Sequence, residues 1–239
     1  MAVVPQRMTL SKQVSDAIID LIDETGLREG DALPGTAELA ERFKVSIPVV
    51  REAIAGLAAI GVLSRKQGKE SVVSSPEADH LSRLLKFRIA SAQVDVASIQ
   101  QYREVVEIGS ARLAAQHRDD DGMARLEAAH ARHEAAASES DFHDADVAFH
   151  SAVAHIGGND LLILTLDAIS PLLRHLRETV WEGWVSVGGD RASIVAAHAA
   201  VLEAIRAGDA DAAADAMAAH LKQARLGLEV GGGAEALQK

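Results

Sequence analysis

From Glu77 to about Val230 the chain carries helical periodicity and no convincing strand pattern, which commits most of its length to helices. Apolar residues recur at helical spacing near residues 77–88, 95–117, 121–138, 141–156, 160–178, 191–207 and 209–227. The breaks at Gly157-Gly158-Asn159, Val187-Gly188-Gly189 and Gly208 fall where glycine ends helices. Aromatic residues make up only 3% of the chain and alanine is abundant, so the helices are expected to pack at short range rather than give way to sheets. Residues 76–230 therefore predict an antiparallel all-helical bundle of six or seven helices. Residues 231–239, with Gly231-Gly232-Gly233, are expected to form a disordered tail.

The first 75 residues read differently. Val14, Ile18, Leu21 and Ile22 make an apolar stripe over Ser11–Thr25, with Gly26 as its cap. A second, short helix is predicted over Thr36–Phe43 with Thr36 as N-cap, and a third from Pro48 to about Ile60. Val62-Leu63-Ser64 and Ser71-Val72-Val73 then flank a basic, glycine-containing tip, the pattern of a hairpin. Three short helices and a two-stranded wing make a winged helix-turn-helix, which Ser74-Ser75-Pro76 separates from the bundle. The chain is thus mainly α, a DNA-reading head followed by a helical domain.

Charge follows the same division. The formal net charge of -11 argues against a nucleic-acid partner if it is taken as uniform. Residues 1–75 hold nine Lys/Arg against ten Asp/Glu, whereas residues 76–239 hold fifteen against twenty-five. From Arg42 to Lys69 six cations face the single anion Glu52. The recognition helix would run from Ser46 to Ala58 and present Ser46, Ile47 and Arg51 to the major groove. Arg51 suits a guanine edge or a phosphate, and Ser46 either caps the helix or holds a phosphate. Arg65, Lys66, Gln67, Gly68 and Lys69 would carry the wing to the neighbouring backbone. A charge run of this kind can also be a solvated face without a partner.

Other classes are excluded by what is missing. With no cysteine there are no disulfides, thiolate metal sites or cysteine nucleophiles. No apolar run approaches the ~20 residues of a membrane span, and Met1–Leu10 lacks a signal-peptide core, so no membrane partner and a cytoplasmic location are expected.

Within the bundle, Asp146 and His150 lie four residues apart and share a helix face. His198 stands ten residues before Gly208 and His220 twelve after it. If Gly208 turns a helical hairpin, both imidazoles sit about 15–18 Å from the turn, at nearly one height. One carboxylate and three imidazoles make a divalent-metal cage, and a nitrogen-rich set favours zinc or nickel. The competing reading is chance, because the chain has ten histidines and Asp/His pairs at this spacing are common. Arg103 falls on the stripe Ile99, Arg103, Val106, Ser110 and Leu113, which turns a permanent cation toward the core. Its anion is either Glu107, one turn on, or a bound ligand.

Leu33-Pro34, Glu38-Leu39-Ala40-Glu41-Arg42-Phe43, Val45-Ser46, Val50-Arg51-Glu52-Ala53-Ile54, Leu57, Gly61-Val62-Leu63 and Arg65-Lys66-Gln67-Gly68 closely resemble the N-terminal domain of GntR-type bacterial repressors. The helical part resembles the FCD effector domain of the FadR subgroup. That resemblance implies that Asp146, His150, His198 and His220 are metal ligands and that Arg103 pairs with a carboxylate effector. It also implies a homodimer that reads a palindromic operator in double-stranded DNA and answers to a small organic acid. Two departures stand out: Ala37 and Ile47 occupy positions where members commonly carry arginine, and Pro48 comes one position earlier than the usual proline. A weaker operator contact with a flatter salt dependence is expected. The alternatives are a metal-dependent hydrolase using the same four residues and a binding module that has lost its operator.

Overall fold

The structure is a computed structural model that describes residues 8–65, 70–92 and 94–231. Its packing divides the chain into Met1–His80 and Leu81–Lys239.

In the first unit, helix α1 (Leu10–Thr25) starts on Thr9, whose hydroxyl accepts from the Lys12 amide, and stops at Gly26 in the left-handed region. Helix α2 spans Thr36–Phe43 and helix α3 Ile47–Ala59. The N-cap of α2 is Gly35 rather than Thr36, which is already helical. Between α2 and α3 the chain turns through Lys44, the one described non-glycine residue at positive φ, 55°. Strands β1 (Leu63–Arg65) and β2 (Ser71–Val73) pair antiparallel, Leu63 opposite Val73. Val14, Ile18, Leu39, Val50, Ile54, Leu57 and Leu63 close the core beneath the helices. Helix α4 spans Ala78–Ala92. The ring of His80 lies over Gly61, where an added Cβ would come within 2.8 Å of it, so the first turn of α4 packs with the head.

The second unit continues α4 and adds α5 (Val96–His117), α6 (Asp120–Glu134), α7 (Glu139–Gly157), α8 (Asp160–Ile169), α9 (Arg174–Ser186), α10 (Arg191–Ala207) and α11 (Ala210–Val230). Asp95, Asp119, Ser138, Asn159, Asp190 and Asp209 each accept backbone N–H bonds in the first turn that follows them. Among the described residues that makes eight helices reaching into this unit, not six or seven. The segment expected as one helix over 160–178 is two, separated by a 3₁₀ turn at Ser170–Leu173. Pro171 lies in that turn and has no amide to continue the α-helical ladder. Helix α6 also stops at Glu134, short of 138, because Ser138 is used to start α7.

The core forms where α5, α6, α7, α10 and α11 meet. Ala111, Ala114 and Ala115 bring α5 close to Phe149 and Val153 of α7, Val201 and Ile205 of α10, and Met217 and Leu221 of α11. Helices α9 and α11 approach more closely still. A Cβ on Gly183 would run into the carbonyl oxygen of Gly227, and one on Gly227 into that of Val180. No described helix is long and apolar enough to cross a membrane.

Candidate metal and effector site

Asp146 and His150 come from α7, His198 from α10 and His220 from α11. Helix geometry puts the first two on one face, and the Gly208 turn (φ 74°) brings the other two level. One ligand atom from each of the four lies within 4.8 Å of all the others. The Nε2 atoms of His198 and His220 are 3.2 Å apart, as are those of His220 and His150. Asp146 Oδ1 stands 3.7 Å from His150 Nε2 and 3.6 Å from His198 Nε2. Four ligands at the ~2.0–2.1 Å typical of nitrogen and oxygen on zinc would be about 3.3 Å apart in a tetrahedron, so the spacing fits an ion at the centre.

The outer atoms of these ligands are also engaged. His150 Nδ1 is ion-paired with Glu107 Oε2, and Glu107 Oε1 accepts from Arg103 Nε at 2.6 Å. Asp146 Oδ2 accepts from Arg177 Nε at 2.7 Å. His198 Nδ1 meets His133 Nδ1 at 2.9 Å, and its ring stacks on Phe149 at a centroid distance of 4.1 Å. Fixing the second nitrogen or oxygen of a ligand in this way orients it toward the centre. His150 Nδ1 and His220 Nδ1 are both buried without a hydrogen bond; His150 Nδ1 has the Glu107 ion pair, whereas His220 Nδ1 has no ion pair among the described residues.

Burial pushes His198 well below the ordinary imidazole range and His220 down to about 3, so both rings keep lone pairs for a cation. The same burial takes His133 down to about 4. For His150 burial acts downward too, but the Glu107 and Asp146 carboxylates outweigh it and raise the pKa. Asp146, which burial alone would raise, is held well below the usual carboxylate range by His150, Arg177 and His198. Glu107 is likewise lowered, against its burial, by Arg103 and His150. A group so firmly ionised and twice ion-paired is a poor general base.

Arg103 is paired with Glu107 and also lines a cavity of about 50 Å³ beside Asp146 and His220. Three neighbours were not foreseen as part of the site. Arg177 shares the cavity, and its Nη1 is buried without a partner. Arg177 lies on α9, which the 3₁₀ turn at Ser170–Leu173 separates from α8. His133 is buried and touches His198. The signal was present, since Leu126, Ala129 and His133 follow one buried face of α6. Glu107, expected as one possible partner of Arg103, bridges Arg103 and His150.

In the head, Ser46 and Arg51 are exposed at the start of α3. Ser46 is the N-cap by backbone geometry but makes no side-chain cap bond, which leaves its hydroxyl available. Ala37 is exposed, and Ile47 is 39% exposed. Arg65 ends β1, while Lys66, Gln67, Gly68 and Lys69 lie outside the described residues, as do residues 232–239 of the expected tail.

Comparison with known proteins brings the two halves together. Residues 10–73 match the family of bacterial regulatory proteins named gntR, and residues 98–223 match the FCD domain. The transcriptional regulator LutR of Bacillus subtilis is 32% identical over 84% of this chain and 93% of its own. The transcriptional repressor NanR of Cronobacter sakazakii is 30% identical over 90% of this chain and 84% of its own. A solved structure, Streptococcus agalactiae GntR, superposes with a TM-score of 0.64 at 28% identity, covering 90% of this chain and 98% of that one.

Proposed function

This chain belongs to the gntR family of bacterial transcriptional regulators, with an FCD domain behind its helix-turn-helix head, and from that premise we propose that it is a metabolite-responsive repressor. Its relatives are named regulators rather than enzymes. The observation that carries the proposal is the meeting of Asp146, His150, His198 and His220 around one point, beside a cavity lined by two arginines. In this reading the four residues hold a divalent ion, zinc or nickel by the nitrogen-rich donor set. The ion, when bound, offers an open position to a carboxylate oxygen. Arg103, and Arg177 through its free Nη1, neutralise the rest of that carboxylate, as guanidinium groups do for planar anions.

Ser46 and Arg51 of the head, with Arg65, Lys66, Gln67, Gly68 and Lys69 of the wing, contact double-stranded DNA. A homodimer supplies two heads to a palindromic operator. Leu84 and Phe87 of α4, 63% and 75% exposed, offer apolar surface to a second copy. Regulation requires that the acid bind the DNA-competent and DNA-released arrangements with different affinity. The proposed setting is the cytoplasm, where such operators are.

The test is a gel-shift titration with the DNA upstream of the protein's own coding region, run over a salt series. A salt-sensitive complex is expected, released by a small carboxylate in the presence of zinc. Arg103→Ala should keep the complex and lose the release. If no complex forms even at low salt, the departures at Ala37 and Ile47 have abolished operator binding and the binding-module reading takes over.

A further inference from the structure

Arg103, Asp146, Arg177 and the neutral His220 supply the polar side of the 50 Å³ cavity, and Phe142, Val180, Trp181, Trp184, Ile194 and Ala224 supply a side of carbon. That apolar side is held in place. Trp184 Nε1 donates to Ser193 Oγ at 3.2 Å, which satisfies the polar atom of the indole within the protein. A Cβ at Gly189 would strike the Trp184 ring, so the absence of a side chain there is what admits it. Phe142 lies 4.0 Å from the His133 ring and 5.7 Å from that of Trp181, and the Arg191 guanidinium sits over both Phe142 and Trp181 at 5.1 and 5.9 Å. His143 and Gln223 complete the lining. Gln223 follows His220 by three residues on α11, and its Oε1 is buried without a partner.

Such a chamber sorts acids by what lies behind the carboxylate. Its volume holds about four water-sized groups. An acid whose carboxylate meets the arginines must lay its remaining atoms against Trp181, Trp184 and Ile194, where a hydroxyl finds carbon. Gln223 Oε1 can accept one hydrogen bond, so a single donor near the carboxylate is matched and further donors are stranded.

We propose, on the basis of the carboxylate reading above, that the effector is a short monocarboxylic acid of about three to five carbons. It would carry at most one hydrogen-bonding substituent and an unsubstituted hydrocarbon tail. Polyhydroxylated acids of equal length are excluded by the carbon side of the cavity.

The test compares two four-carbon acids with the same head, 2-hydroxybutyrate and erythronate (2,3,4-trihydroxybutyrate), on the full-length protein with one equivalent of zinc. Calorimetry gives affinity. The chain's only two tryptophans, Trp181 and Trp184, both line the cavity and report where the tail lies. 2-Hydroxybutyrate is expected to bind about 10–100-fold more tightly and to shift tryptophan emission, with the preference narrowed in Ile194→Ser. Equal affinities, a preference for erythronate, or binding that leaves tryptophan emission unchanged would overturn the apolar-tail inference. In that case loss of binding in Arg103→Ala would leave the carboxylate reading standing. If neither acid binds, nor any acid in a series from propionate to gluconate, both readings fall.

Discussion

Ser46 and Arg51 stand exposed on α3 of the head, whereas His150, His198 and His220 are 2%, 0% and 5% exposed inside the bundle. The contrast follows from what each region is proposed to read. A DNA groove is met from outside, so its contacts sit on a helix surface whose other face makes the core. A small ion and a small acid must be surrounded, so their contacts replace core residues and have to be satisfied while the ligand is away. In the head, function and stability are carried by different residues. In the bundle the proposed ligands are themselves part of the buried ionic network, through the chain Arg103–Glu107–His150 and the pair Arg177–Asp146.

The sharpest way to break this comparison is to remove Glu107. Glu107→Ala leaves Arg103 and His150 buried with no carboxylate between them, and loss of one partner from a buried ionic network costs about 3–5 kcal/mol. Urea denaturation should register that loss. A change no larger than that of a surface substitution would mean that the bundle site is as separable from stability as the head.

Acid titration of the metal-free protein comes next. His133 and His220 have folded-state pKa values of about 4 and about 3, below the ordinary 6.5. The unfolded chain therefore takes up protons that the folded bundle refuses, and stability falls as pH falls. Their contribution is intact above 6.5, declines below it, and is fully lost once pH passes 4 for His133 and 3 for His220. His150, raised in the fold, acts in the opposite direction and blunts the upper part of the curve. Thermal melts from pH 8 to 4 in a chelator should show the decline, reduced in His133→Phe. A flat profile would contradict the buried, neutral imidazoles.

The smallest stability effect belongs to the head. Arg51→Ala should leave the unfolding free energy unchanged within about 0.5 kcal/mol while weakening operator binding by roughly tenfold or more. A large loss of stability would erase the distinction between the two regions.

How much of this could be read from the chain differs between the regions in the same way. In the head, local signals sufficed: Gly26 as a helix stop, the Leu63–Val73 hairpin, and α3 with Pro48 in its first turn all lie near where sequence placed them. The four central residues of the bundle were legible because two of them share a helix and two mirror each other across Gly208. What surrounds them was not. Arg177 reaches Asp146 only because the chain breaks at Ser170–Leu173 and then crosses α11 at Gly183 and Gly227, and no local pattern encodes where a second helix will cross. His133 was legible in principle from its buried stripe, but a histidine on an apolar face does not announce which ring it will meet.

The central claim is that Asp146, His150, His198 and His220 hold a divalent cation, and metal content tests it most directly. Protein dialysed against zinc and then against buffer should retain about one ion per chain, as expected of a site with four protein ligands. A folded His150→Ala/His220→Ala variant treated identically should retain essentially none. Equal metal in the two proteins, or none in either, would contradict the account.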